Sequence, residues 1–450
     1  MDDYTRMEWN RRDWLRAASG LMAGTAFARF CRADDMPPIS APRATSGDTA
    51  VEPDWEKRLA ISVGPKDADL VGATEKPIQA AVDYVARLGG GTVHILPGTY
   101  RMRNAVYLRT GVRLLGSGEA SVLMKEPSTE TTLAADSDWY DQEITLANAD
   151  GFEIGDGVCL QTVNPHDGGR EVVKRTLVAR SGNRFKLDRA LRTNFWTLKT
   201  PTVSTLFPLL TAEETTDLVI ENLTLDGNRE NNAHLDGNYA GCIWFQDCSR
   251  ILIRGVTTRN YNGDGISWQI AHDVIVENCH SHDNADLGLH PGSGSQRPII
   301  RGNTVERNNI GIFFCWGAKY GLAEKNRIED SRAAGISIGH RDNENLIRDN
   351  DILRSGEVGV LFRPELGEGF TARGNRLENN RITDSGPENG IAIDVQGVTE
   401  DNTIARNIIR ETRAPASRIG IQLGKETRNI TLTDNQIEGV ATPIADLRKS

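Results

Sequence analysis

The chain has 450 residues, 44 glycines and only 6% aromatic residues, a composition typical of a turn-rich β protein. Its formal net charge of −10 argues against a nucleic-acid partner, because affinity for nucleic acid depends on neutralising phosphates. The same charge mildly disfavours a highly anionic substrate, although one basic groove would override that average. No apolar run beyond the N-terminal region is long enough to span a bilayer, so we expect no membrane partner for the mature chain.

The first 28 residues have the three parts of an export signal. Arg11 and Arg12 precede the small, apolar stretch Ala17–Ala28, which ends in a cleavage-like Ala-Phe-Ala. The region resembles a bacterial twin-arginine signal, which implies export of a folded protein to the periplasm or the exterior; the alternative is a mobile basic arm. Residues 29–55, rich in Pro, Ala, Ser and Asp, predict a disordered linker. The folded domain is therefore expected over residues 56–450.

Two segments stand apart before the main repeats. Pro77 to Leu88 is the only segment with a convincing amphipathic helical pattern, and three glycines end it. Residues 140–200 do not follow the period of the later chain and contain short strand-like runs with turns between them. They predict a small β-rich insertion.

Eight glycines each open a short stretch in which apolar residues alternate. The first six are spaced 24, 23, 23, 24 and 24 residues apart. A period of this length indicates a solenoid, in which each repeat buries its apolar face against its neighbours. The period-two alternation leaves no room for helices, which excludes leucine-rich, ankyrin and tetratricopeptide repeats. The glycines are Gly241, Gly265, Gly288, Gly311, Gly335, Gly359, Gly390 and Gly420.

A second column, of asparagines, recurs with the same period. Asparagine tolerates left-handed backbone, and its side chain can pass hydrogen bonds from one coil to the next. We therefore predict an asparagine ladder at one corner of the coils. Its members are Asn222, Asn278, Asn303, Asn326, Asn350, Asn380, Asn407 and Asn435.

Together these columns resemble the right-handed parallel β-helix of the pectate lyase superfamily, over roughly residues 60–445. The expected fold is all-β: a right-handed parallel β-helix solenoid with an N-terminal capping helix and a small β-rich insertion. The resemblance implies that the helix at residues 77–88 covers the first coil.

The cysteines indicate neither a metal site nor a redox motif. None of the six forms a CxxC pair or a metal-type spacing. Buried free thiols are favoured, with a disulfide left open by the expected export. We expect no cofactor, and a Ca²⁺ requirement stays open because no motif indicates one.

Alternation along each strand predicts which side chains face outward. If the first and third residues after each glycine point inward, the second and fourth point out. Ionisable and polar outward residues then gather within about five coils on one face. The candidate catalytic residues are Asp264, Asp286, His290 and His340. The candidate substrate-binding residues are Gln269, Trp316, Asp342, Arg363 and Asp394.

Each candidate also has a purely structural interpretation. His290 could be a hydrogen-bonded filler of its strand, and Asp264 could be the first residue of an Asp-Gly turn. Trp316 could close the core rather than stack on a sugar ring. Arg363 could be a solvated surface residue rather than a carboxylate clamp.

Two short motifs resemble those of known enzymes. Asn262-Gly263-Asp264, Ala285-Asp286 and Gly335 to His340 are similar to motifs of polygalacturonase-type hydrolases, which implies that Asp264 and Asp286 form an acidic pair. One aspartate of the family's Asp-Asp pair is Ala285 here, and no Gly-His-Gly follows one coil later. His290-Pro291-Gly292 is similar in place to the Asp-Pro-His of mannuronan epimerases, but lacks their Asp and His.

The sequence therefore leaves three functions open. An exported glycoside hydrolase would use Asp264 and Asp286 as acid and base on a polysaccharide. A lyase or C5-epimerase would use His290 or His340 as base and Arg363 to neutralise a uronate. A non-catalytic carbohydrate-binding or surface protein would leave both histidines incidental. Hydrolysis is favoured, because the acidic chain lacks the Lys-rich groove expected of many lyases.

Overall fold

The computed structural model describes residues 52–164, 167–364 and 367–449. These residues belong to one unit, Pro37–Ser450. The expected export signal and residues 29–51 of the expected linker lie outside the described residues and stay predictions. Glu52 already binds Arg254 with its carboxylate, 2.9 Å from Nη1, so ordered contacts begin before the predicted boundary at residue 56. No helix within the described ranges is long and apolar enough to cross a bilayer.

The N-terminal region forms the first coils and their cap. Its elements are β1 (Leu59–Gly64), β2 (Leu70–Val71), α1 (Glu75–Arg87), β3 (Gly91–Ile95), β4 (Gly98–Met102), β5 (Val106–Tyr107) and β6 (Val112–Lys125). The Thr74 side chain caps α1 by accepting a hydrogen bond from the Lys76 amide. The apolar face of α1 is buried against β1, β3 and β5, which confirms the predicted capping helix.

The insertion is a separate small sheet with its own core. Its strands are β7 (Glu130–Thr132), β8 (Glu143–Thr145), β9 (Gly157–Val163), β10 (Arg170–Ser181), β11 (Arg184–Leu187) and β12 (Thr202–Ser204). They pair antiparallel around buried residues such as Ile144, Phe185 and Phe195. The predicted insertion at residues 140–200 is thus present, but its sheet begins earlier, at Glu130, and ends at Ser204.

The remaining chain winds through repeated coils of short parallel strands. The early coils contain β13 (Leu210–Glu213), β14 (Thr216–Asp226), β15 (Gly241–Gln246), β16 (Ser249–Arg254), β17 (Thr257–Arg259), β18 (Asp264–Gln269), β19 (His272–Glu277), β20 (His280–His282) and β21 (Leu287–Pro291). The middle coils contain β22 (Ile299–Arg301), β23 (Thr304–Glu306), β24 (Ile310–Phe313), β25 (Leu322–Glu324), β26 (Arg327–Glu329), β27 (Ala334–Ile338), β28 (Leu346–Arg348), β29 (Asp351–Leu353) and β30 (Val358–Phe362). The last coils contain β31 (Arg376–Glu378), β32 (Arg381–Thr383), β33 (Ile391–Val395), β34 (Thr403–Ala405), β35 (Ile408–Arg410), β36 (Ile419–Leu423), β37 (Thr431–Thr433), β38 (Gln436–Glu438) and β39 (Thr442–Asp446). Short 3₁₀ turns occupy Trp55–Lys57, Thr197–Lys199, Arg229–Asn231, Glu368–Phe370 and Leu447–Lys449.

These strands form two long sheets, which together make the predicted parallel β-helix. The sheet that we call the front sheet has eleven strands in the order β5, β13, β15, β18, β21, β24, β27, β30, β33, β36 and β39. The back sheet has 22 strands. Apolar residues of both sheets, such as Ile266 and Ile300, share one continuous core.

The glycine column marks where each front-sheet strand begins, but two of its predicted members are wrong. Gly241 pairs with Asp264, so Cys242 lies beside Gly265. Ile391 and Ile393 flank Ala392 and pair with Val358 and Val360, so Ala392 and not Gly390 lies beside Gly359. Glycine is required at the regular positions by close approach, since a Cβ on Gly288 would lie 2.4 Å from Val305 Cγ1.

This register corrects part of the outward projection. In the regular coils the first and third residues are core, as expected. Ile243 and Phe245, which the shifted register placed outward, are fully buried in that core, and Trp244 occupies the outward position instead. Asp394 pairs with Leu361 and therefore stands second, not fourth, in its coil.

An asparagine ladder runs through the coils as predicted, from Asn303 to Asn435. Each side chain donates through Nδ2 to the Oδ1 of the next, at 2.9–3.0 Å. Asn222 and Asn278 are outside it, because they occupy the left-handed corner one residue earlier, with φ of 50° and 52°. Cys279 takes the ladder position in that coil and donates its amide to Asn303. The ladder members are Asn303, Asn326, Asn350, Asn380, Asn407 and Asn435.

The five described cysteines are buried free thiols, namely Cys159, Cys242, Cys248, Cys279 and Cys315. Burial raises the pKa of Cys159, Cys279 and Cys315 to about 12, so none of these three is a thiolate near neutral pH.

Candidate active site

The candidate site lies on the outer face of the front sheet, at β18 and β21. Successive strands place Trp244, Ser267, His290, Phe313 and Ser337 in one outward row, each one coil from the next. Coils are spaced about 4.8 Å apart, so these neighbours touch. The row starts under the insertion and continues toward the C-terminal coils.

Asp264 and His290 form a buried dyad in this row. Asp264 Oδ2 lies 2.8 Å from His290 Nδ1, and the two side chains are 0% and 3% exposed. Asp264 also accepts a hydrogen bond from the Leu287 amide at 3.0 Å. Burial raises the pKa of Asp264 above its ordinary value, and the hydrogen bond from His290 opposes that rise. Asp264 thus serves as the carboxylate that orients the imidazole.

Asp264 and Ser267 together favour a proton on Nδ1 of His290. The Ser267 hydroxyl donates to the Gly237 carbonyl at 2.7 Å, and its oxygen lies 3.2 Å from His290 Nδ1. Because that proton is committed to Gly237, Ser267 can only accept at Nδ1, as Asp264 does. This hydrogen-bond network assigns the proton of a neutral imidazole to Nδ1 and leaves its Nε2 without one.

His290 Nε2 is buried and has no hydrogen-bond partner among the described residues. Buried polar atoms are nearly always paired, and an exception in a site points to a role in binding or catalysis. Gln269, two residues beyond Ser267 on β18, contacts the serine of this site. It donates to the Ser267 hydroxyl at 3.3 Å and accepts from the Ser293 amide at 2.8 Å.

Residues 232–240, which we call the strap, pass over the dyad between β14 and β15. Gly237 is the point of closest approach, because a Cβ there would lie 1.7 Å from Asp264 Oδ2. Leu235 is buried in the main core and fixes the first half of the strap. Only glycine fits where the strap covers the carboxylate.

A second histidine–carboxylate pair joins the strap to the residue before β21. His234 Nε2 is 2.6 Å from Asp286 Oδ2, with side-chain exposures of 47% and 32%. The hydrogen bond to Asp286 raises the pKa of His234 above its ordinary value, although burial opposes the rise. The charge of Asp286 also contributes to the raised pKa of Asp264.

Arg363 reaches back across two coils toward His290. Its guanidinium lies 4.2 Å from the Phe313 ring and donates to Ser337 Oγ and to the Phe314 carbonyl, both at 2.9 Å. His290 meets the same Phe313 ring edge-on, with centroids 5.4 Å apart. Phe313 thus separates the imidazole from a fixed positive charge.

Asp342 holds Arg363 from the other side, at 3.2 Å. It is fully buried and accepts hydrogen bonds from the backbone amides of Gly317, Ala318 and Gly339. Burial raises the pKa of Asp342 to about 7, while Arg363 and the amides oppose the rise. The structure therefore places Asp342 behind Arg363 as its support and not on the exposed face.

Trp316 and His340 form an aromatic rim next to Arg363. Their rings stack at 4.8 Å and 16°, and Trp316 remains 47% exposed. Both have left-handed backbone, with φ of 53° and 46°, at a corner where other coils have Asp247, Ile270 or Gly397. The stacked and partly exposed rings at these two corners are suited to binding the apolar face of a sugar.

Asp394 lies apart from this group. It stands four coils beyond His290, about 19 Å away at the usual coil spacing, and its carboxylate pairs with Gln396 and Gln422. The other eight predicted residues gather on β18 to β30 or in the adjoining loops.

The main residues that sequence reasoning missed are His234, Gly237, Lys125 and Lys174. The first two lie in the strap, which is not part of the repeat, and the lysines belong to β6 and β10. The sequence did contain a sign of the strap, because a polar stretch of Asn, His, Asp and Gly separates β14 from β15. Among the described residues, no group of three or more His, Cys, Asp or Glu is arranged to hold a metal ion.

Comparisons with known proteins agree with this architecture. The family model described as "Right handed beta helix region" matches residues 211–363 and 321–445, which together span just over half of the chain. A mannuronan C5-epimerase of Pseudomonas putida is 30% identical over 111 residues, 24% of this chain and 21% of that protein. The chain thus spans about a fifth of the length of the curated relative that it matches.

Two solved structures share the fold at low sequence identity. A glycoside hydrolase is 10% identical with a TM-score of 0.54, and the alignment covers 85% of this chain and 97% of the other. The surface protein and adhesin PfbA of Streptococcus pneumoniae is 13% identical with a TM-score of 0.51, covering 87% and 100%. These two likenesses concern the fold alone.

Proposed function

The chain belongs to the right-handed beta helix family, and within it we propose a polysaccharide-active enzyme in which Asp264 and His290 transfer a proton on a uronic-acid-containing glycan. The observation that carries the proposal is the buried dyad, in which His290 Nδ1 contacts Asp264 and His290 Nε2 has no hydrogen-bond partner among the described residues. A base of this kind is suited to removing a carbon-bound proton near neutral pH.

The charges around His290 fit a uronate. Arg363 holds a guanidinium next to Phe313, and its buried Nε has no hydrogen-bond partner among the described residues. A fixed positive charge stabilises the negative charge that develops on a carboxylate when the neighbouring carbon loses its proton. Arg170, on β10, acts electrostatically on Tyr239 and His234 from the insertion side. One arginine therefore acts on the site from each side of this dyad.

In the proposed reaction, His290 Nε2 takes the proton from the carbon beside the uronate carboxylate, and the electron pair moves toward that carboxylate. Return of a proton to the opposite face completes epimerisation. Alternatively, the carbon–oxygen bond at the neighbouring carbon breaks, a carbon–carbon double bond forms, and the leaving oxygen takes the proton. His234, half-exposed and with a raised pKa, is the proton donor in this proposal.

The partial match to a mannuronan C5-epimerase supports a uronate-containing substrate. Because the match covers only 24% of the chain, the type of reaction remains part of our proposal. Export through the twin-arginine route, which the first 28 residues predict, would place the enzyme where such polysaccharides occur.

Hydrolysis is the second candidate, because the charge of Asp286 contributes to the raised pKa of Asp264, as in an acidic pair. It is less favoured than the sequence alone suggests. Asp264 accepts from the Leu287 amide with one oxygen and contacts His290 with the other, so neither oxygen is free for a glycosidic bond, whereas His290 Nε2 has no partner among the described residues.

A panel assay separates these reactions. Purified protein would be incubated with mannuronate-based, galacturonate-based, neutral and sulfated polysaccharides. Ultraviolet absorbance of an unsaturated product indicates β-elimination, a changed uronate stereochemistry by proton NMR indicates epimerisation, and new reducing ends without absorbance indicate hydrolysis. Either of the first two supports the proposal. Hydrolysis alone, or no change in any polymer, contradicts it.

A further inference from the structure

Two lysines, Lys125 buried and Lys174 partly buried, hold the two ends of the strap. At its start, Lys125 Nζ donates to Asn232 Oδ1 at 2.6 Å and to the Thr205 carbonyl at 2.8 Å. At its end, Lys174 Nζ donates to the Tyr239 carbonyl at 2.5 Å. Both lysines come from outside the strap, from β6 and β10.

Each lysine also lies on an aromatic ring. Lys125 Nζ is 4.4 Å from the centre of the Phe207 ring, and Lys174 Nζ is 3.1 Å from that of Trp244. Trp244 belongs to the same outward row as Ser267 and His290. Lys174 therefore links three parts of the molecule: the insertion, the strap and the row that contains the dyad.

The strap matters to the dyad through one atom. The Gly237 carbonyl accepts the Ser267 hydroxyl proton, which leaves Ser267 only able to accept at His290 Nδ1. If the strap moves away, Ser267 loses this acceptor and can donate to Nδ1 in competition with Asp264, so a larger share of the neutral ring carries its proton on Nε2. A ring in that form cannot act as a base through Nε2.

We propose that Lys125 and Lys174 are positioning residues, which hold the strap so that the Gly237 carbonyl keeps His290 in the form with Nε2 unprotonated. The consequence for catalysis rests on the proposed function. The position of the proton on His290 and the closure of the strap do not rest on that function, because both can be measured without a substrate.

The charged surroundings of the lysines make strap closure depend on pH. Burial lowers the pKa of both lysines to about 7. A lysine whose pKa is depressed when the strap is closed favours closure at high pH, and this contribution is lost as the pH falls through about 7. The strap is therefore expected to open more at pH 6 than at pH 9. The charged or titratable groups that act on Lys125 are Asp156, Glu126 and Arg103, and those that act on Lys174 are Glu213, Cys159 and Arg189.

The direct test is the proton position on His290, read by NMR of protein labelled with ¹⁵N histidine, with His290→Gln to assign the signal. We expect an unprotonated Nε2 in the wild type, and mixed or reversed protonation in Lys174→Met and Lys125→Met. Lys186→Met, at an exposed position of the same insertion, is the matched control and should match the wild type. An unchanged His290 signal in both the Lys125 and Lys174 variants overturns the proposal.

Hydrogen exchange of residues 232–240 is the second measurement. We expect at least several-fold lower protection of the strap in both lysine variants, with β18 and β21 unchanged, because Leu235 still anchors the strap in the core. Gly237→Ala displaces the strap without changing the lysines and should give the same two changes, in His290 protonation and in strap protection.

If Lys174→Met does not fold, two other variants replace it. Lys174→Arg should retain wild-type protection of the strap, and Gly237→Ala should lose it. Equal protection in these two variants contradicts the proposal. Altered proton position with no activity on any glycan would support this inference while rejecting the proposed function.

Discussion

His280 and His290 lie on opposite sheets of the same coil, and each is paired with a carboxylate. His280 Nε2 is 2.7 Å from Glu306 on the back sheet, and His290 Nδ1 is 2.8 Å from Asp264 on the front sheet. The side chain of His280 is 39% exposed, whereas that of His290 is 3% exposed. Pairing alone therefore does not identify a site. His290 on the front sheet differs from His280 because it is buried, because the strap covers it, and because its Nε2 has no hydrogen-bond partner among the described residues.

Arginines repeat this contrast. Arg354 on the back sheet bonds Asp330 at 2.7 Å with both side chains about half exposed. Arg363 on the front sheet bonds Asp342, which is fully buried. Exposed pairs of this kind are worth little, whereas loss of one partner from a buried pair leaves an uncompensated charge. The carboxylate of the Arg354 pair thus remains in contact with solvent, whereas that of the Arg363 pair is fully buried.

The largest effect is expected from Asp264→Asn. The amide can donate to His290 Nδ1 and so favour the wrong proton position, and loss of a correctly oriented imidazole costs on the order of a hundredfold or more in rate. We expect kcat/KM on the active uronate polymer to fall by that factor while the protein stays folded. The matched change on the back sheet, Glu306→Gln, should leave kcat/KM within about twofold of the wild type. Similar losses in both variants would show that the two sheets do not differ.

Removing one arginine at a time, from the front or from the back sheet, compares how much each ion pair contributes to the unfolding free energy of the protein. Arg363→Met leaves Asp342 buried without its charge partner, which costs about 3 kcal/mol of unfolding free energy or more. Arg354→Met should cost less than about 1 kcal/mol, because its pair is exposed. Urea unfolding followed by circular dichroism measures both values. Equal costs would contradict the assignment of Arg363 and Asp342 to a buried pair.

The pH dependence of stability should also differ between the sheets. The pKa of Asp342 is raised to about 7, so this group favours the folded state at low pH, and its contribution is lost as the pH rises through about 7. Between pH 5 and pH 8 the unfolding free energy should fall by at most about 1.4 kcal/mol per unit from this group, and Asp342→Asn should remove that slope. Asp330, whose pKa is lowered by Arg354, should give no such slope in this range. An unchanged profile in Asp342→Asn would contradict the prediction.

The smallest effect is expected at the aromatic rim. Trp316→Ala removes an exposed indole that stacks on His340, and loss of a sugar-stacking face of this size costs about 1 kcal/mol, or several-fold in KM, with kcat little changed. Ile270→Ala, at the equivalent exposed corner two coils away, is the matched control. A fall in kcat without a change in KM would argue against a binding role for Trp316.

The periodicity of the sequence predicted those features of the fold that depend on local residue patterns. The coils, the capping helix, the insertion and the asparagine ladder from Asn303 onward follow from local alternation and from one residue type recurring at one corner. The same periodicity misplaced Gly241 and Gly390, because both precede irregular coils where the glycine shifts by one or two residues.

The site itself was only partly predictable. Asp264, His290 and Gln269 are in register with the repeat, so counting from a glycine found them. The strap follows no period, and neither its contact through Gly237 nor the reach of Lys125 and Lys174 can be counted along the chain. The role of Asp264 as a partner of His290, rather than of Asp286, likewise depends on burial and distance.

Removal of a carbon-bound proton by His290, with the help of Asp264, is tested most directly by exchange in deuterated water. Deuterium at the carbon beside the uronate carboxylate is followed by NMR in the active polymer and its products. We expect deuterium incorporation or elimination with wild-type protein and with His280→Gln, and a loss on the order of a hundredfold or more in rate with folded His290→Gln, comparable to that of Asp264→Asn. Equal rates in the two histidine variants would contradict it.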